Sequence, residues 1–82
     1  MTEHGRRKQF VEVDVHYLID GTVEPKRITM AEGKVFEIDE ASDPHVTRSQ
    51  AEGVIRRYPI TIKGKRTFLY ADGMKWWVMA KE

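Results

Sequence analysis

Eighty-two residues, 40% of them hydrophobic and 33% charged, with a net charge of +1, suffice for one small core and leave no room for a second domain. Apolar content this high with so little net charge excludes intrinsic disorder, and the lack of Cys excludes disulfides and thiolate metal sites. No run approaches the roughly 20 apolar residues of a membrane helix, so a water-soluble chain in the reducing cytoplasm is expected.

Residues 1–8 are polar and basic without periodicity and are expected to form a flexible arm ahead of one domain over 9–82. From Gln9 to Ile19 the chain has period two. Val11, Val13, Val15, Tyr17 and Ile19 fall on one face, and Glu12, Asp14 and His16 on the other, which predicts a long half-buried strand. Phe10 and Leu18 lie on the polar face at its two ends.

Asp20-Gly21 turns the chain into Val23–Met30, where Pro25 lacks the donor a ladder needs and predicts an edge or an irregularity. Glu32-Gly33 leads to Lys34–Asp39, with Phe36 and Ile38 facing inward. Over 39–53 the pattern stops, predicting a long loop with room for one helical turn between Thr47 and Glu52; loops of this length are often functional.

Strand character returns at Val54, with Arg56, Tyr58, Ile60 and Ile62 on one face and Pro59 again marking an edge or a bulge. Lys63-Gly64-Lys65 and Asp72-Gly73 are hairpin signals on either side of a run ending in Phe68-Leu69-Tyr70. Lys75-Trp76-Trp77-Val78-Met79 closes the chain, its two Trp pointing to opposite faces. Six strands without a confident helix predict an all-β antiparallel meander that closes into an SH3-like or OB-like barrel or roll.

Asp20-Gly21-x-x-x-Pro25-x-x-Ile28-Thr29, Gly33-x-x-Phe36-x-Ile38-Asp39, and Arg57-Tyr58 through Gly64-x-x-x-Phe68-Leu69-Tyr70 to Lys75-Trp76-Trp77-Val78 span roughly residues 9 to 79. In these motifs the chain resembles a group of small, functionally uncharacterised bacterial proteins of about this length. Met30-Ala31-Glu32-Gly33 departs from the Trp-x-Asp-Gly turn of that group. The shared positions are turns and core aromatics, so the resemblance implies a small all-β fold and assigns no catalytic or binding residue.

Charge is divided along the chain. Gln9–Asp43 carries three Lys/Arg against nine Asp/Glu, and Pro44–Lys81 carries eight against two. Cross-strand pairing between the two halves explains this most simply. A basic face built from Arg56, Arg57, Lys63, Lys65, Arg66 and Lys75, interleaved with aromatics, is the nucleic-acid alternative. Trp76, Trp77 and Tyr70 are the candidates for a protein interface, because an exposed Trp is a frequent hot spot.

No nucleophile motif or phosphate-cradling glycine loop is present, which argues against an enzyme and against a cofactor. Glu12, Asp14 and His16 share a strand face, and Asp39, Glu40, Asp43 and His45 share the long loop; both groups read as solvated surface before they read as metal ligands. The expected function is therefore a non-enzymatic binding module, for another protein or a second copy of itself.

Overall fold

A computed structural model describes residues 6–50 and 53–81, and of the arm expected over residues 1–8, residues 1–5 lie outside them. Among the described residues eight strands form: β1 (Arg6–Tyr17), β2 (Val23–Thr29), β3 (Val35–Glu37), β4 (Glu40–Ala41), β5 (His45–Ser49), β6 (Gly53–Ile62), β7 (Lys65–Asp72) and β8 (Lys75–Lys81). All pairings are antiparallel, in the order β3-β2-β1-β8-β7-β6-β4, with β5 also on β6. The chain is all-β, one sheet curled into a half-barrel.

The curl is fastened by two consecutive residues. β3 and β4 sit at opposite margins of the sheet, yet only Ile38 and Asp39 separate them. Ile38 N–H donates to the Lys26 carbonyl at 3.0 Å and Asp39 N–H to the Thr61 carbonyl at 2.8 Å, so one peptide step bridges β2 and β6. The Asp39 carboxylate also accepts from Lys63 N–H at 2.9 Å, which ties the β6–β7 turn into the same clasp.

The core lies on the inner face. Ile28, Tyr58, Ile60, Leu69 and Ala71 are buried there, with Val11, Val13, Met30, Ile38, Ala41, Ile62, Trp76 and Val78 packed against them. Burial alternates along β1 as the period-two pattern requires, Val11, Val13 and Val15 half-buried and Glu12, Asp14 and His16 exposed.

Several expectations change. β1 begins at Arg6, because Arg6, Arg7 and Lys8 pair with Lys81, Ala80 and Met79 of β8. Its inward row stops at Val15: Tyr17 is 69% exposed, and Ile19 lies past the strand, fully exposed in the Leu18–Thr22 turn. β8 accompanies β1 only as far as Val11, so among the described residues only β2 pairs with β1 beyond that point.

The expected loop over 39–53 holds β4 and β5, and Thr47–Ser49 are strand where a helical turn was predicted. Their backbone groups find partners on the far edge of β6, which no local pattern announces.

Both strand prolines sit where a donor is dispensable. Pro25 faces Val15 where the β1–β2 register shifts. Pro59 lies in a strand paired on both sides, but opposite the break between β4 and β5, its carbonyl accepting from Ser42 N–H at 2.9 Å. The described residues contain no helix long and apolar enough to cross a membrane.

Candidate functional site

The six C-terminal cations do not converge. Thr61 pairs with Arg66 and Ile62 with Lys65, which puts Lys63, Lys65 and Arg66 at one end of β7. Arg56 opposite Ala71, and Lys75 opposite Asp72, lie at the other end. Five residue steps, roughly 17 Å of strand, separate the nearest members of the two groups, Arg66 and the Arg56–Ala71 row. Arg57 stands apart from both, on the outer face with its guanidinium carbon 4.6 Å from the Phe68 ring centroid.

Ion pairing works within the acidic half. Asp14, Arg27 and Glu37 fall in one row across β1, β2 and β3, and Arg27 donates to Glu37 at 2.8 Å and to Asp14 at 3.2 Å. The Glu37 hydrogen bond and charge, then Asp14, raise the Arg27 pKa above its ordinary value. The pairing expected between acidic and basic strands is thus met here by an acidic strand pair around its own arginine. Asp14 is engaged by Arg27 and Asp39 by Lys63; among the described residues no three His, Asp or Glu side chains form a metal-sized cluster.

The adjacent tryptophans divide between the two faces. Trp77 is 3% exposed although it points away from the core, because Phe10 meets it edge-on at 5.8 Å, Tyr70 stacks on it at 5.7 Å, and Lys8 Nζ sits 4.4 Å from its ring. Trp76 points inward, 5.5 Å from Tyr58, and is only half-buried.

What leaves Trp76 uncovered is a seam. β7 and β8 pair over only three rows, Tyr70–Asp72 with Lys75–Trp77. Past their turn, β1 over Glu12–Tyr17 keeps only β2 as a partner, and β6 over Gly53–Ile55 keeps only β5. Two hairpins therefore rise on either side of the β7–β8 turn, each with an unpaired strand edge among the described residues. Between them runs a groove of about 440 Å³, lined by Val13, Val15, Tyr17, Tyr58, Met74 and Trp76 among others, with Glu12 and Arg56 at its polar margins.

Met74, in the turn at the mouth of the groove, is 94% exposed. Burial raises the Tyr58 pKa, the nearby Arg56 opposing it and Tyr17 adding to it, so the phenol stays neutral to unusually high pH.

The sequence picked out Trp76 and Arg56 from this groove and missed Val13, Val15, Tyr17 and Met74. The three β1 residues read as core because their alternation is perfect; that only β2, and no strand on the other side, continues beside them among the described residues is set by where β8 begins. The chain has no match among family models, curated proteins or solved structures.

Proposed function

We propose that this chain is a non-enzymatic protein-binding module that associates with a second copy of itself through the seam. The observation that carries the reading is the open β1 edge, Glu12–Tyr17, beside an apolar groove lined by Tyr17 and the exposed Met74, with Ile19 exposed in the turn that follows β1. Unpaired edges recruit strands, and contiguous exposed apolar surface marks protein contacts.

A second copy suits the groove because it brings both halves of the match. A two-fold interface sets each side chain against its counterpart's partner, so Glu12 of one copy can meet Arg56 of the other while Met74 fills the opposing groove. The absence of Cys accords with work in the cytoplasm. The clasp at Ile38–Asp39, which brings both sheet margins together, is the kind of closure used by small SH3-like or OB-like barrels.

Light scattering coupled to size exclusion, run over a range of concentrations, tests the reading. The wild type is expected to form dimers and Met74→Glu to remain monomeric with an unchanged melting curve. A wild type that stays monomeric at the highest concentration, or a Met74→Glu variant that dimerises equally well, overturns it.

A further inference from the structure

The outer face, opposite the seam, carries a different chemistry. Phe10, Trp77, Tyr70 and Arg57 occupy a single row across β1, β8, β7 and β6, because Phe10 pairs with Trp77, Trp77 with Tyr70 and Tyr70 with Arg57. Four strands at roughly 4.8 Å spacing make this row about 14 Å long. Along it lies a groove of about 330 Å³, lined by Lys8, Ile55, Arg57, Tyr70, Trp77 and Met79, with Thr47 at its rim and no carboxylate among the described residues.

We infer that this groove binds single-stranded nucleic acid, Tyr70, Phe10 and Phe68 stacking against bases while Lys8 and Arg57 meet the backbone phosphates. Trp77 is the floor. It is sealed under the Lys8 stem and holds Phe10 and Tyr70 in place, whereas Phe10 is 53% and Phe68 40% exposed, which leaves ring surface for a ligand. Aromatic rings on neighbouring strands, interleaved with cations, make a platform that accepts any base by its π-face.

Charge complementarity selects an anion. Arg57 makes no ion pair among the described residues, and its Nε is out of water without a hydrogen-bond partner. A guanidinium set 4.6 Å over the Phe68 ring centroid has a plane on which a base can stack and an edge that can donate to phosphate. Lys75, by contrast, lies opposite Asp72 in register, and Arg66 lines a surface pocket together with Glu40. Arg57, at the β6 end of the row, thus offers an anion a cation with no ion pair among the described residues. A duplex would present its bases edge-on and leave the rings nothing to stack upon.

Fluorescence anisotropy with the full chain and a labelled oligo(dT) of about 12 nucleotides, within the span single-strand binding folds cover, tests the inference. Saturable binding is expected at about 50 mM salt, weaker at about 200 mM, with a log–log salt slope near −1.4 for roughly two phosphates at about 0.7 each.

Phe10→Ala and Phe68→Ala are each expected to weaken binding about tenfold. Lys8→Met keeps the stem over Trp77 and is expected to lower the slope by about 0.7. Lys34→Ala, in the β2–β3 turn, leaves affinity unchanged. Absence of binding at low salt, equal affinity for duplex of the same length, a mononucleotide bound as tightly as the oligomer, or unaltered affinity in both phenylalanine variants overturns the proposal.

Discussion

Tyr70 and Trp77 stack face to face, their ring centroids 5.7 Å apart and their planes 5° from parallel, on the side of the sheet that faces away from the core. They are the outermost of the three rows that join β7 to β8, and hence join the β1–β8 ribbon to the β6–β7 ribbon. The stack reinforces the sheet where only three rows connect the two ribbons. Trp77→Ala is therefore expected to cost about 3–5 kcal/mol, as much as loss of a core residue. Trp76→Ala, on a half-buried ring, should cost about half as much and act mainly on association. Urea unfolding of both variants checks the order; a larger loss for Trp76→Ala would mean that the inner face alone holds the ribbons together.

The inside-out sense of β1 makes a paired prediction. Val13 packs against the core, and Asp14 faces water with its carboxylate on Arg27. Val13→Asp is expected to cost about 2–4 kcal/mol, because a carboxylate at that position has no partner among apolar neighbours. Asp14→Thr gives up an exposed ion pair and should change stability by about 0.5 kcal/mol or less. Chemical denaturation separates the two, and the opposite order would reverse the register of the strand.

Two hairpin turns respond differently to substitution. Lys63 (φ 51°) and Gly64 (φ 80°) both adopt positive φ, the pattern of a type I′ turn, which favours Asn at its first position. Lys63→Asn is expected to stabilise the domain by roughly 0.5 kcal/mol, even though it gives up the Lys63 contact 5.7 Å from the Phe36 ring. In the β7–β8 turn Gly73 has φ 63° and open space around an added Cβ. Gly73→Val should cost roughly 1–2 kcal/mol through backbone strain alone, without a clash. Melting temperatures of the two variants should therefore move in opposite directions.

Tyr58 supplies a pH dependence. Its folded pKa is raised from 10.0, chiefly by burial, whereas the unfolded chain ionises near the ordinary value. The stabilisation is complete below the unfolded pKa and is lost as pH rises through the folded one, because only the unfolded state gains by ionising. Tyr58→Phe should then lose less stability than the wild type as pH climbs past 10.0. Urea midpoints followed from neutral to alkaline pH check this; parallel curves would place Tyr58 in contact with water.

Local chemistry in the sequence determined the strands that carry their own signal. Alternation sets the faces of Val11 through His16, and glycine at positive φ sets the turns at Gly64 and Gly73, since both depend only on near neighbours along the chain. The split of Trp76 and Trp77 between two faces follows from the same period of two. Tertiary structure alone decided the rest. β4 and β5 exist because the far edge of β6 offers them hydrogen-bond partners, not because Glu40–Ala41 or His45–Ser49 favour strand. The cations separate because antiparallel register carries Lys65 and Lys75 to opposite ends of their strands. Both candidate sites depend on the long-range pairing of β1 with β8: β8 leaves β1 at Val11 and opens the seam, and the row from Phe10 to Arg57 is completed only when β1 lies beside the β6–β7–β8 meander. Pairing of that kind is a long-range choice, made by which edges meet, and no window of the sequence contains it.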